Sequence, residues 1–569
     1  MDYYDLGDVA RRVTTASPAA QQWFDRGLAW TYGFHHEEVV RCFERAIRED
    51  PGCALAHWGV AYALGPNYNK PWEFFDQADL ASTVRRTHEA TRRALDAVGS
   101  GTPVEQALVG ALVARYPGPD PAPDFSVWSR GYAEAMRAVH ERFPEDLDVA
   151  TLYADALMNL TPWQLWDLRT GAPAPGSRAL EAKAVLDAAL ATDAGRAHAG
   201  LLHMYIHLME MSTTPEAALP FADRLRGLVP DAGHLAHMPT HLDVLCGDYR
   251  RVVASNLDAV RADEKYLARD GAMNFYTLYR SHDYHFAIYG ALFLGQSRVA
   301  LEMAGRLEAS IPEDLLRVEV PPMADWLEGF LAMRVHVLIR FGRWQDAVDL
   351  PLPHDPVLYC VTTAMAHYAK GVAYSATGRV REAEVERERF LAALQRVPAT
   401  RMLFNNTCQD ILAVAAAMLD GELEYRKGNH DLAFTHLRRS IELDDTLPYD
   451  EPWGWMQPTR HAYGALLLEQ GQVEEAAAVY RADLGIDDTL PRALQHPNNV
   501  WSLHGYHECL VALGRSDEAR IIGRQLTLAA AFADVPVTAS CFCRLGTATP
   551  AGPDADAGCC APDGSTRAH

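Results

Sequence analysis

The sequence predicts an all-α fold in which one helix–turn–helix unit is repeated as a solenoid. Apolar residues recur with the spacing of amphipathic helices, and a glycine followed five residues later by an alanine returns at several points along the chain. No Pro-, Gly- or Ser-rich linker divides the middle of the 569 residues. One continuous array therefore fits better than two or three separate domains.

The first unit occupies residues 23–51. Its pattern residues are Trp23, Gly27 and Trp30 on the first helix, Phe43 and Ala46 on the second helix, and Pro51 at the end of the unit. This arrangement resembles a tetratricopeptide repeat (TPR), a unit of about 34 residues that pairs a helix A with a helix B. It departs from the family pattern at Arg26, where the family has leucine, and at the turn glycine Gly33, which comes one place early.

The turn glycines of later units place the rest of the chain in the same repeat pattern. They are Gly247, Gly295, Gly342, Gly378, Gly428, Gly471 and Gly514. The resemblance implies a bacterial-type member of the TPR superfamily, with about eleven repeats wound into a right-handed superhelix. We expect a single array over residues 1–535, with looser repeats at 54–195.

Composition narrows the range of partners. The chain has 75 acidic and 52 basic residues, a formal charge of -23, and no cluster of cations that could bind phosphate, so nucleic acid is not expected. No apolar run is long enough to span a bilayer. The N-terminus lacks the features of a signal peptide. We expect a cytoplasmic protein that binds neither nucleic acid nor a membrane.

Histidines concentrate at positions that line the concave groove in TPR proteins. The resemblance assigns that groove to the second, fifth, ninth and twelfth residues of helix A. About 22 fifth and ninth places would hold about one histidine by chance, given 23 histidines in 569 residues. Those places hold His203, His207, His237, His241, His285, His336, His461 and His504. His234 and His282 occupy second places, Tyr289 a ninth and Glu210 a twelfth.

The central histidines predict a transition-metal site. Residues three or four apart share a helix face, so neighbouring helices could each present a pair of imidazoles to one or two ions. The candidate ligands are His203, His207, His237, His241, His282 and His285, with His234 and His336 in reserve. An all-imidazole set suits copper, iron or zinc, and we favour copper. In one alternative, histidines and aromatic residues bind an acidic or peptide ligand in the groove. In the other, the histidines have only a structural role.

We assign three further residues to the chemistry. Glu210 and Asp283 are expected to orient the ligating imidazoles or carry protons, and Tyr289 to supply a phenol beside the ion. The main hypothesis is a metal-dependent enzyme that performs copper or iron oxidative chemistry on a small molecule or peptide in the groove. Zinc-dependent hydrolysis and metal storage or delivery remain alternatives.

The rival hypothesis is a non-catalytic TPR scaffold that binds peptides or proteins, the role of most arrays of this kind. A scaffold for carboxylate groups favours Lys, Arg and Asn on the groove, and these are sparse here. The loop with Tyr68, Asn69, Lys70 and Trp72 is either a lid or substrate contact near the N-terminal end of the array, or an ordinary turn between helices.

The composition changes after Val535, and residues 536–569 lack helical periodicity. We therefore expect a mobile C-terminal tail that can be deleted without harm to the fold. Its four cysteines, Cys541, Cys543, Cys559 and Cys560, are a second possible metal signal, because thiolates bind soft ions. The alternative is a redox-labile or functionless tail.

Overall fold

The structure is a computed structural model, and it describes residues 3–544. Its helices are α1 (Pro18–Tyr32), α2 (His36–Glu49), α3 (Ala54–Leu64), α4 (Gln77–Ala97), α5 (Pro103–Arg115), α6 (Ser126–Arg142), α7 (Leu147–Met158), α8 (Ala179–Leu190), α9 (Ala199–Glu210), α10 (Leu219–Leu225), α11 (Gly233–His237), α12 (Thr240–Leu245), α13 (Tyr249–Asp270), α14 (Thr277–Leu294), α15 (Ser297–Ser310), α16 (Glu313–Leu316), α17 (Met323–Leu327), α18 (Met333–Arg340), α19 (Trp344–Asp349), α20 (Cys360–Ala376), α21 (Val380–Leu394), α22 (Cys408–Arg426), α23 (His430–Asp445), α24 (Thr459–Glu469), α25 (Val473–Asp483), α26 (Val500–Ala512) and α27 (Ser516–Ala530). Two short antiparallel strands, β1 (Met402–Leu403) and β2 (Asn406–Thr407), precede α22.

The helices pair into hairpins along the chain, which confirms the predicted all-α, TPR-type solenoid. The pairs are α1/α2, α3/α4, α5/α6, α7/α8, α9/α10, α11 and α12 with α13, α14/α15, α18/α19, α20/α21, α22/α23, α24/α25 and α26/α27. The described residues thus form twelve hairpins, where the sequence predicts about eleven. The additional pair is α5/α6, whose connection is rich in proline and lacks the glycine-to-alanine spacing of most of the later turns.

Glycines end most helices A at the predicted turns. All seven turn glycines of the later units have a positive φ, from 62° at Gly342 to 83° at Gly428. Glycine adopts this left-handed conformation at little energetic cost. The conformation ends a helix because it turns the following backbone N–H groups toward the last carbonyl oxygens of the helix. Gly342 also lies against the C-terminal segment, where an added Cβ would come within 3.0 Å of Phe542.

The concave face of the solenoid is filled by loops rather than open. Phe404, between the two strands, packs edge-on against His282 at 4.7 Å between ring centroids. From the loop before α24, Met456 places its sulfur 2.8 Å from His285 Nε2. The loop after α3 places Tyr68 4.8 Å from His207. The predicted groove is therefore a largely enclosed interior.

Successive turns of the solenoid also contact each other. Near the N-terminus, Tyr4 donates a hydrogen bond to Asp270 at the end of α13. Near the C-terminus, the Trp501 indole N–H on α26 donates to the carbonyl oxygen of Leu292 on α14. These contacts between distant repeats hold the superhelix closed around its interior. No helix within residues 3–544 is long and apolar enough to cross a membrane.

The C-terminal segment corrects the expectation of a mobile tail from residue 536. Phe542 is 5% exposed and packs edge-on against Trp501. Arg340 donates to the carbonyl oxygen of Ser540, and the Ser540 hydroxyl donates to the carbonyl oxygen of His461. The expectation is therefore wrong for residues 536–544. The rest of the predicted tail, with Cys559 and Cys560, lies outside the described residues.

Replacing Phe542 with alanine should destabilise the protein by about 3 kcal/mol, because a buried aromatic ring is lost and a cavity remains. Urea unfolding followed by circular dichroism measures the change. Leu528→Ala is the control, since Leu528 is 70% exposed and should change stability by less than about 0.5 kcal/mol. Equal effects of the two substitutions would show that the segment does not dock in solution.

Candidate metal centre

Three consecutive helices A carry the central histidines. His203 and His207 lie on α9, His237 and His241 on the broken helix α11–α12, and His282 on α14. Each is at most 7% exposed. Within α9 and α11–α12, a spacing of four residues puts both imidazoles on one helix face. The solenoid places these faces side by side.

The first group of imidazoles consists of His203, His207 and His234, whose possible ligand atoms all lie within 4.8 Å of one another. His203 donates from Nδ1 to the carbonyl oxygen of Tyr32 at 2.6 Å, and His207 from Nδ1 to Glu210 at 2.9 Å. Their Nε2 atoms are buried without a hydrogen-bond partner, as are both ring nitrogens of His234. Carbonyl and carboxylate partners of this kind orient metal-ligating histidines.

The second group consists of His237, His241 and His282, again within 4.8 Å. His237 Nδ1 lies 2.7 Å from the side-chain oxygen of Asn256, whose amide nitrogen donates to the carbonyl oxygen of Val252. That second bond assigns the amide orientation, so His237 carries its proton on Nδ1. His241 likewise donates from Nδ1 to the Glu210 carboxylate. With Glu210 ionised, both rings have an unprotonated Nε2.

Those two Nε2 atoms lie 2.8 Å apart. With each proton held on Nδ1, two lone pairs face each other across this distance in a fully buried interior. Neutral imidazoles cannot form a hydrogen bond in that state, because neither nitrogen carries a hydrogen. A cation bound by both nitrogens would turn this repulsion into attraction. The geometry is that of two ligands converging on one metal ion.

Glu210 connects the two groups. One carboxylate oxygen accepts from His207 and the other from His241. Burial raises the pKa of this carboxyl group, and the contact with His241 acts in the opposite direction. The carboxylate thus lies where the sequence analysis expects an orienting residue, and it does so for one imidazole of each group.

Several predicted site residues lie outside both groups. His285 and His336 are buried elsewhere: the Nε2 atom of His285 meets the Met456 sulfur at 2.8 Å, and His336 packs edge-on against Trp455. Tyr289 pairs its hydroxyl with His496 at 3.3 Å instead of with a central imidazole. The physical reason is that loops entering from the concave side separate these residues from the two groups.

Asp283 lies beside His237 but is not the nearest acceptor of its Nδ1 atom. Its oxygen lies 3.5 Å from His237 Nδ1, farther than the Asn256 oxygen that holds this nitrogen. Burial raises the pKa of Asp283 well above the usual range, and the neighbouring carboxyl group of Asp263 raises it further. Asn256 therefore supplies the nearest acceptor for the His237 imidazole.

Sequence reasoning misses three residues that shape the site. Tyr32 supplies a carbonyl oxygen, Asn256 an amide oxygen, and Phe34 an aromatic ring packed 4.5 Å from His203. Tyr32 and Phe34 flank the first turn, far from the histidines in sequence. The only available signal is the polar Asn256 on the buried face of helix α13.

Beside the imidazoles lies a small cavity with a free volume of about 40 Å³. His234, His241 and His282 reach its wall, together with Asn69, Lys70, Phe74, Trp163, Phe275, Leu278, Tyr279, Trp326, Phe404, Asn405, Asp450 and Glu451. The loop considered as a lid or substrate contact thus supplies Asn69 and Lys70. Its Trp72 instead stacks on Phe125, at 4.4 Å between ring centroids. Six of these fifteen lining residues are Phe, Trp or Tyr.

Burial keeps these imidazoles neutral. Desolvation lowers the pKa of His207 and His237 to about 3, and that of His241 to about 4 because Glu210 offsets part of the effect. At neutral pH their lone pairs are free for a metal ion, since no proton competes for them.

The stability of the metal-free protein should fall as the pH is lowered from about 6.5 to about 4. In this window the unfolded histidines bind protons that the folded ones exclude, so each contributes a loss of about 1.4 kcal/mol per pH unit. Urea unfolding after chelation, at about pH 7 and about pH 5, measures the slope. His237→Gln with His241→Gln should make it shallower, and an unchanged slope would contradict neutral burial.

No protein-family model matches the chain, and no curated protein matches it. Solved structures that are similar include the APC/C hetero-tetramer Cut9–Hcn1 (13% identity, TM-score 0.31, covering 83% of this chain and 74% of that chain). IFIT1, as a monomeric mutant with Gppp-AAAA, is 11% identical with a TM-score of 0.34, covering 84% and 90%. Yeast Tom70 is 10% identical with a TM-score of 0.30, covering 89% and 99%. Similarity at these identities and TM-scores gives no information about the function of the site.

Proposed function

We propose that this chain binds a transition-metal ion through His237, His241 and His282 and uses it on a small molecule in the adjoining cavity. The observation that carries the proposal is the pair of unprotonated Nε2 atoms 2.8 Å apart. Three imidazoles leave further coordination positions for a substrate or water, as catalytic metal sites require.

The donor set favours copper. An all-imidazole set of His237, His241 and His282 would suit copper, iron or zinc, and copper is our first choice because imidazole nitrogens bind it most tightly among these ions. Iron is the next choice among ions that accept several imidazoles. The group of His203, His207 and His234 offers a place for a second ion.

The surroundings favour oxidative chemistry on a small molecule over a peptide. The free volume of about 40 Å³ has room for a small ligand and not for a peptide. Behind the imidazoles, Glu210 holds the protons of His207 and His241 on Nδ1, and Asn256 does the same for His237. These residues keep the ligating nitrogens pointed at the ion. The alternatives predict different results. Zinc-dependent hydrolysis predicts bound zinc and turnover of a hydrolysable substrate, whereas metal storage or delivery predicts bound metal without turnover.

A non-catalytic TPR scaffold is the second candidate. The fold itself favours it, because hairpins run along the whole described chain and present a long outer surface, and such solenoids serve mostly in binding. Because the concave side is closed, a protein partner would bind to the outer surface. A scaffold needs no metal, so metal content separates the two candidates.

Untagged protein should retain close to one equivalent of copper, or two if both imidazole groups are filled, by elemental analysis. Replacing His237 and His241 with alanine should remove the ion at their group, because two of its three ligands are lost. Electron paramagnetic resonance should show copper(II) with nitrogen ligands in the unaltered protein, and the double variant should lose the part of that signal that comes from the group of His237, His241 and His282.

The matched control is His367→Ala. His367 is also a buried helix A histidine, 7% exposed and paired with Glu386, but it belongs to neither group. This variant should lose stability and keep its metal. Metal-free untagged protein that takes up no copper, iron or zinc would defeat the proposal and leave the scaffold as the better account.

Metal removal should lower the melting temperature while helical content persists at room temperature. Each hairpin already packs against its neighbours, so the fold does not depend on the ion. A ligand at 100 to 1,000 times its Kd adds about 3 to 4 kcal/mol to the native state. Circular dichroism with and without a chelator measures both quantities. Loss of helix on chelation would instead make the metal a folding requirement.

A further inference from the structure

A second cluster of metal-ligating groups lies far from the histidines in sequence, where the C-terminal segment meets α22. It consists of Glu422, Cys541 and Cys543, with the possible ligand atoms within 4.8 Å of one another. We propose that, once reduced, Cys541 and Cys543 bind a zinc-class divalent cation together with the Glu422 carboxylate. This site is independent of the proposed copper site.

Glu422 carries the proposal. Its side chain is fully buried, and neither carboxylate oxygen has a hydrogen-bond partner. Burial raises its pKa to about 7, and Arg426 offsets part of that effect. A buried carboxylate without hydrogen bonds costs several kcal/mol unless a cation compensates it. The guanidinium of Arg426 donates instead to the carbonyl oxygen of Cys543.

The cysteines are held in place by their neighbours. Ser540, just before them, bonds to Arg340, Tyr480 and the His461 carbonyl oxygen. Phe542, between them, is buried, and its flanking cysteines therefore keep a fixed orientation. This cluster is thus preorganised by a docked segment rather than by a chance approach of a loose one.

The chemistry of the donors selects the ion. Two thiolates and one carboxylate suit zinc, which accepts sulfur and oxygen ligands in a tetrahedral arrangement. With Zn–S bonds of about 2.3 Å, the sulfurs of such a site lie about 3.8 Å apart. The Cα atoms of Cys541 and Cys543 are 5.2 Å apart, a separation that allows both sulfurs to reach one ion. A fourth position remains for water or another ligand.

Cys541 and Cys543 form a disulfide in the structure. Binding therefore requires a dithiol or phosphine reductant, which supplies two electrons while two protons convert the disulfide into two thiols. Each thiol releases its proton when its sulfur binds the cation. The oxidised pair offers no thiolate, so the site binds metal only in its reduced form.

The test uses the full chain with Cys559→Ser and Cys560→Ser, so that these residues contribute no thiolate. After reduction and removal of the reductant without oxygen, the protein is titrated with Cd²⁺, a spectroscopic substitute for Zn²⁺. We expect an ultraviolet thiolate-to-cadmium absorption band that saturates at one equivalent. The histidine groups can bind Cd²⁺ but give no such band, so failure of either site is seen separately.

Two variants of that protein locate the ligands. Cys541→Ser with Cys543→Ser should abolish the band, and Glu422→Gln, which keeps the shape of the side chain, should weaken cadmium binding at least about tenfold. Far-ultraviolet circular dichroism checks that each variant is folded. Absence of the band in the reduced parent, its persistence without Cys541 and Cys543, or unchanged affinity in Glu422→Gln would overturn the proposal.

Discussion

The buried carboxylate of Glu210 is the contact on which both imidazole groups depend. It accepts from His207 with one oxygen and from His241 with the other. A carboxylate in an interior of this kind costs several kcal/mol unless it is hydrogen-bonded and its charge is compensated. Two imidazole N–H groups provide the hydrogen bonds, and a cation on the far side of each ring would provide the charge. Carboxylate, imidazole and metal then form one chain of mutually stabilising groups.

The sequence was sufficient to predict the repeat architecture and the central histidines because both are local patterns. Turn glycines such as Gly295 and Gly428 mark the end of a helix whatever surrounds them, and both adopt a positive φ. Within helix α9, the spacing of four residues alone puts His203 and His207 on a common face. The α5/α6 hairpin was missed because its proline-rich connection has no such local mark.

The partners of the histidines could not be predicted, because they depend on how distant segments meet. Tyr32 and His203 are 171 residues apart, and so are His285 and Met456. Repeat position alone treats His285 as equivalent to His237, yet the loop residue Met456 lies against its Nε2 atom. The same limit applies to the C-terminal segment: its composition suggests mobility, while the surface made by Arg340, Trp501 and Gly342 gives Phe542 a place to dock.

The solenoid can tolerate so many buried polar groups because its stability arises elsewhere. Each hairpin buries apolar residues between its own helices and against its neighbours, as Phe43 does between α1, α2 and α3, where it lies against Gly27 and Gly59. Because this packing repeats in every unit, the inner face can carry polar side chains without loss of the fold. Closing the superhelix removes this face from water. Its imidazoles are therefore neutral, and a charge placed among them interacts more strongly with nearby groups than it would in water. A repeat fold that elsewhere presents an open groove thus provides here a dry interior suited to a metal ion.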